Sequence, residues 1–160
     1  MKKYSVPYIS DIELISNVIS HRDILTSDQK LGEISGKCSK GSTPESVEIY
    51  GSRIRKVAEM FGLVKKYPSG VWDYTEDGKK VFSCNDKDKR NKLIAELLVE
   101  KCEIIKDFVD FLKKRKEKFS DKILEKFLSI KIKEGRLSKI TSDRIKNDLY
   151  KIIEWTLSQQ

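Results

Sequence analysis

At Gly62 the spacing of apolar residues changes period, and no other feature of the chain constrains its fold as much. Upstream, Val47, Tyr50, Ile54, Val57, Ala58 and Phe61 fall on one stripe, which predicts a helix over residues 44–61. Pro44 suits its first turn, where a missing N–H does no harm. Gly62 suits the position just past its end. Downstream, two short runs rich in strand formers, Leu63–Tyr67 and Val71–Tyr74, flank Pro68-Ser69-Gly70, the pattern of a hairpin. Helical spacing then returns. Thr75 is the expected N-cap of a short helix carrying Lys79, Lys80, Val81 and Phe82.

Two shorter helices are expected ahead of this unit. Residues 10–20 place Ile12, Ile15, Val18 and Ile19 on one face, with Ser10 as the cap. Residues 27–38 start at another cap, Ser27, and carry Leu31 and Ile34 before the turn-rich KCSKGSTP. Gly51 sits in mid-helix, where it costs roughly 1 kcal/mol relative to Ala. Such a glycine points to close packing or to close approach by a partner. The second half reads as helical throughout. Residues 87–100 and 102–116 form either one bent helix or two, and Ser120 caps another that ends near Gly135. Thr141 or Ser142 is expected to cap the last, which carries Ile145, Leu149, Ile152, Ile153 and Trp155. The fold class is therefore mainly α, with one small hairpin.

A length of 160 residues allows one medium domain or two small ones. The turn near Ser83 suggests a division into residues 1–83 and 84–160. The formal charge of +8 is uneven: 13 Lys and Arg against 11 Asp and Glu in residues 1–80, then 20 against 14 in residues 81–160. Such an excess favours an anionic partner, though a Lys-rich solvated surface gives the same count. Cys38, Cys84 and Cys102 are far apart and form no CxxC pair, which argues against a zinc site and a disulfide framework and for the reducing cytoplasm. The N-terminal MKKYSVPYIS has no apolar stretch after its lysines, and no segment reaches the length of a membrane span. The expectation is a cytoplasmic protein with no membrane partner.

Enzyme readings fail on residue supply. No nucleophile–base–acid set and no Gly-rich phosphate loop is visible. Asp73, Asp77 and Lys79 come nearest to a nuclease trio, but their spacing is poor and they lie in and just after the hairpin. His21, the only histidine, has no partners for a metal cluster. No catalytic residue, cofactor or metal is expected.

The order helix, short helix, longer helix, two-strand hairpin over residues 10–83 is the layout of a winged helix-turn-helix. SRIRKVAEMFGLVKKYPSGVWDYTEDGKKVF resembles the recognition helix, wing and closing helix of microbial winged-helix proteins. In those a segment close to "A..LGLV" enters the wing and an "LTEKG"-like turn stands where this chain has YTEDGKKV. The resemblance covers about half of the chain and rests on the ordered set, since no single part is specific. The second half is similar to tandem winged-helix regions of prokaryotic restriction–modification enzymes, and to a domain attached to some archaeal ATPases, with Thr141, Arg144 and Trp155 in the matching places. The chain stops at Gln160 with no room for a second wing, so the second unit is a wingless helical module or the chain is a fragment.

The resemblance implies binding of double-stranded DNA, as a transcription regulator or as the target-recognition part of a restriction–modification system, in a homodimer or a larger multidomain protein. The alternative is a winged helix used as a protein–protein interaction module. Under the DNA reading Ser52, Arg53, Arg55 and Lys56 lie on the helix that enters the major groove. Arg55 is expected to project outward and read guanine. Lys65 and Lys66 on the wing are expected to hold phosphates, and Arg144 and Lys146 to contribute from the second unit. Arg144 and Lys146 share a face with Asp143, Asn147 and Asp148, and the run from Lys113 to Lys118 sits where a helix end favours cations without any ligand. Trp72, Trp155, Tyr50 and Tyr74 are expected in core or capping positions.

Overall fold

A computed structural model describes residues 2–37 and 41–160. Cys38, and with it part of the turn expected after residue 37, lies outside the described residues. The described chain runs α1 (Ile12–Ile19), a 3-10 turn (Arg22–Ile24), α2 (Asp28–Ser35), α3 (Pro44–Met60), β1 (Val64–Lys66), β2 (Trp72–Tyr74) and α4 (Glu76–Phe82). Four further helices follow: α5 (Lys87–Lys101), α6 (Glu103–Arg115), α7 (Asp121–Lys133) and α8 (Lys139–Ser158). The chain is mainly helical with one two-stranded antiparallel sheet, in which Val64, Lys65 and Lys66 face Tyr74, Asp73 and Trp72. No described helix is long and apolar enough to cross a membrane.

Side-chain caps fix most helix starts. Ser27, Thr43, Thr75 and Ser120 each accept a hydrogen bond from the amide three residues on. Two expected caps are displaced. Asp11, not Ser10, accepts from Leu14 N and starts α1. Ser138, not Thr141 or Ser142, starts α8 and accepts from Thr141 N. In both cases more than one cap-forming residue stands within a few positions, and composition alone does not choose among them.

Residues 87–115 form two helices. The break falls at Cys102, whose extended backbone (φ −88°, ψ 102°) ends α5 and starts α6 with no proline or glycine involved. Its side chain is 2% exposed, and burial pushes the thiol up to about 11. Alkylation at pH 8 is therefore expected to label half-buried Cys84 readily and Cys102 only after unfolding. Peptide mass mapping checks this, and labelling of Cys102 at the rate of Cys84 in folded protein would contradict the burial.

A single buried cluster runs from Ile15, Ile19, Leu31, Ile54 and Phe61 in the first half to Ile94, Leu98, Ile104, Phe127 and Ile153 in the second. Phe108 meets Phe127 edge-on at 5.2 Å and Phe119 edge-on at 5.7 Å, centring the packing of α6 and α7. The residues before α1 strap the two halves together. Tyr4 N donates to Arg136 O at 3.1 Å, Tyr4 OH donates to Asp107, and the Arg136 guanidinium lies 3.9 Å from the Tyr4 ring centre. Burial, with Asp107 as its acceptor, holds the Tyr4 phenol above its ordinary range.

Helices α2 and α3 cross in backbone contact. A Cβ on Gly51 would lie 1.9 Å from the carbonyl oxygen of Asp28, and one on Gly32 would lie 2.1 Å from that of Val47. Gly78 fills the same need in α4, where a Cβ would meet Leu63 O at 2.0 Å. Thr75 completes that corner: its hydroxyl donates to Gly62 O at 2.5 Å and accepts from Gly78 N at 2.9 Å. The Thr-x-x-Gly spacing thus locks α4 against the start of the hairpin.

Candidate nucleic-acid interface

Helix α3 buries Gly51, Ile54, Arg55, Val57 and Ala58. With 3.6 residues per turn, the opposite side carries Glu45, Ile49, Ser52 and Lys56, with Arg53 beside them. Glu45, Ile49, Arg53 and Lys56 are exposed and Ser52 is half-buried. Ile49 leaves 53% of its surface open, an unusual position for isoleucine. No carboxylate among the described residues pairs with Arg53 or Lys56.

Arg55 does not belong to this face. It is 8% exposed and turned into the protein. Its Nη1 donates to Leu25 O at 3.1 Å and Thr26 O at 3.4 Å, and Nη2 approaches Asp28 Oδ1 to 2.6 Å. The guanidinium also lies 4.5 Å from the Trp72 ring centre. The expectation that Arg55 projects outward is therefore overturned. On the wheel it borders the apolar stripe, and two carbonyls at the end of the 3-10 turn supply the acceptors that let a charge sit there.

The hairpin is fastened by residues that sequence reasoning missed. Arg22, in the 3-10 turn, grips Asp73 with two hydrogen bonds, Nε to Oδ1 at 2.7 Å and Nη2 to Oδ2 at 3.0 Å. The Arg22 hydrogen bond, opposed by partial burial, holds the Asp73 carboxyl below its ordinary range. Trp72 N donates to Thr26 Oγ1 at 3.1 Å, and Tyr74 OH donates to Ile19 O at 2.8 Å. Burial raises the Tyr74 phenol to about 12. Trp72 is half-buried and Tyr74 buried, so both occupy structural positions. No local pattern marks Arg22 or Thr26 as anchors, because their partners lie 46 to 51 residues away.

Alternation along β1 sends its two lysines to opposite faces. Lys66 shares a face with Val64 and, across the register, with Trp72, the side on which Arg55 and α3 lie. Lys65 pairs across with Asp73 and places its ammonium 4.6 Å from the Tyr67 ring centre. Both are exposed, and no carboxylate among the described residues pairs with either. Asp73 and Lys79 of the nuclease-like trio are engaged elsewhere, Asp73 with Arg22 and Lys79 with Glu76 at 3.0 Å.

The second-unit candidates stand apart from this face. Lys146 forms ion pairs with Glu125 and Asp121 of α7, which hold its ammonium above the ordinary range. Arg144 is exposed and stacks 5.5 Å from the Tyr8 ring centre. The run from Lys113 to Lys118 ends α6, with Arg115 against Phe111 and 3.7 Å from Glu117. The structure brings together Ser52, Arg53 and Lys56 on α3, with Lys66 on the side of the hairpin that faces it. Compared with known protein families, with curated proteins and with solved structures, the chain matches none.

Proposed function

We propose that residues 10–83 are a winged helix-turn-helix that binds double-stranded DNA, with α3 in the major groove and the hairpin as the wing. The carrying observation is a contrast in how cations are used. Arg22, Arg55, Arg136 and Lys146 are tied to carboxylates of the same chain, whereas Arg53, Lys56, Lys65 and Lys66 on α3 and the hairpin have no carboxylate partner among the described residues. Unpaired cations on one helix and an adjoining ribbon suit a phosphate backbone. The outward stripe of α3 also offers chemistry for base edges. Arg53 can make a bidentate contact to guanine, Ile49 can meet a thymine methyl, and Glu45 can accept from cytosine. Glu45 and Glu48 are exposed in the first half of α3, so phosphate contacts belong to its second half and to the hairpin.

The test is duplex binding by fluorescence anisotropy across a salt series. Affinity is expected to fall steeply between about 50 and 200 mM salt. Lys66→Ala is expected to weaken a selected site and a scrambled duplex by the same factor, and to lower the slope of log K against log salt by about 0.9. Arg53→Ala is expected to lower the ratio of the two affinities by roughly 1–3 kcal/mol. Absence of binding to any duplex at low salt, with folded protein, would sink the proposal and leave a protein partner as the occupant of this face.

A further inference from the structure

We infer that the outward face of α7, with the corner that joins it to α6, is a second surface for double-stranded DNA that holds phosphates and reads no bases. It stands on residues 113–133 alone and does not depend on the α3 surface.

The carrying observation is how charge is sorted around α7. The buried side of the helix holds Ile123, Leu124, Phe127 and Leu128. With 3.6 residues per turn, Lys122, Lys126, Ser129 and Lys133 form one stripe directly opposite, and all four are exposed. The acids of the helix are not on that stripe. Asp121 and Glu125 turn to Lys146 of α8, and Glu134, at the end of α7, pairs with Lys131. The stripe lysines have no carboxylate partner among the described residues, and Lys122 and Lys126, one turn apart, repel each other.

The corner extends the stripe. Residues 113–118 hold five cations against one carboxylate, half of the chain's net charge of +8 within six residues. The dipole at the end of α6 accounts for Lys113, Lys114 and Arg115, which lie in its last turn. It does not account for Lys118 and Lys122, which flank the start of α7, the end of a helix that disfavours cations. Among the described residues Lys116 is the only one besides glycines with a positive φ (54°). Gly36, Gly62 and Gly135 take that conformation past α2, α3 and α7, whereas a lysine there crowds its own Cβ. The charge thus exceeds what folding rewards. The corner is nonetheless held in place by Phe119, which packs edge-on against Phe108 at 5.7 Å and lies 4.7 Å from the Tyr150 ring centre.

Duplex phosphates fit this surface better than other anions do. A membrane-binding helix sets exposed apolar residues beside its cations, and no large apolar side chain of residues 113–133 is exposed. Single-stranded nucleic acid needs aromatic faces for its bases, and Phe111, Phe119 and Phe127 are engaged with other rings. Lysines are point charges that hold a backbone without selecting among base edges. From Lys122 to Lys133 the stripe runs about 17 Å at ~1.5 Å per residue, along a duplex that carries one charge per ~1.7 Å of axis.

The test is fluorescence anisotropy with a selected and a scrambled duplex across a salt series. Lys122→Gln/Lys126→Gln is expected to weaken both duplexes by the same factor, at least about fivefold, and to lower the slope of log K against log salt by about 1.8. Lys101→Gln/Lys139→Gln removes the same charge from lysines paired with Glu100 and Asp143, and is expected to leave the slope unchanged. Lys116→Gly is expected to lower duplex affinity while raising Tm by about 1–4 °C, opposite signs that a purely structural lysine would not give. Repeating the titrations in Arg53→Ala/Lys66→Ala protein separates this surface from α3, because the α7 loss should persist there whether or not α3 reads DNA. An unchanged slope in folded Lys122→Gln/Lys126→Gln, an equal loss in the control pair, or no duplex binding by folded wild type would overturn the inference. So would phosphatidylserine vesicles or single-stranded DNA that bind more tightly than the duplex and lose more in the double variant.

Discussion

An Arg55→Met protein is expected to lose about 3 kcal/mol of folding stability and to keep the wild-type preference between DNA sequences. Methionine matches the length of the arginine stem but supplies no donor. Leu25 is fully buried, so its carbonyl oxygen loses a partner that water cannot readily replace. An orphaned group of this kind costs about 1–3 kcal/mol. The stacked guanidinium over Trp72 contributes about another 1 kcal/mol where it is desolvated. The Asp28 pair adds little, because that carboxylate is 38% exposed and screened by solvent. These contacts join the end of the 3-10 turn, α3 and β2, so their loss also loosens the hairpin. Affinity for every duplex should then fall together. Urea denaturation gives the stability change, and affinities for a selected and a scrambled duplex give the ratio. An unchanged urea midpoint with a reduced ratio would make Arg55 a reading residue after all.

Arg55 also shows where sequence reasoning stops. The period change at Gly62, Pro44 in the first turn of α3, the caps at Ser27, Thr75 and Ser120 and the hairpin around Pro68-Ser69-Gly70 are local signals, and the elements fall where those signals place them. The site was less legible. A helical wheel puts Arg55 at the border of the apolar stripe, and whether a border arginine turns in or out depends on acceptors from a distant segment. Here those acceptors are two carbonyls 29 and 30 residues away. Lys146 is the same case, its fate decided by carboxylates on the neighbouring α7. Ile49 was legible and overlooked: counting around the turn from Gly51, Ile54 and Ala58 puts it on the outward face. The Arg22–Asp73 anchor had no signal, since an exposed ion pair between remote segments leaves no trace in spacing.

Gly51→Ala is expected to destabilise the protein by about 3 kcal/mol, although alanine is the better helix former by about 1 kcal/mol. The sign is the informative part. The added methyl would sit 1.9 Å from Asp28 O and 2.7 Å from Gly32 N. Both are backbone atoms, so no side-chain rotation relieves the clash, and α2 and α3 must move apart. Gly32 faces the same restriction, with Val47 O 2.1 Å from its own would-be Cβ, so sliding the helices along each other offers no relief. Separation opens gaps beside Leu31 and Ile54, which are fully buried, and strains the Arg55 bonds to Leu25 and Thr26. For a chain of this size the loss corresponds to a fall in Tm of roughly 6–12 °C. Calorimetry measures it, with Ser52→Ala, one residue along and on the outward side, as a control expected to change stability little. If α3 carries DNA contacts, its displacement from the hairpin should weaken binding to all duplexes under conditions where the variant is still folded. A Tm that rises by a few degrees, as helix propensity alone would give, would mean that α2 and α3 are not in backbone contact. The relative placement of α3 and the hairpin, on which the proposed DNA surface rests, would then be wrong.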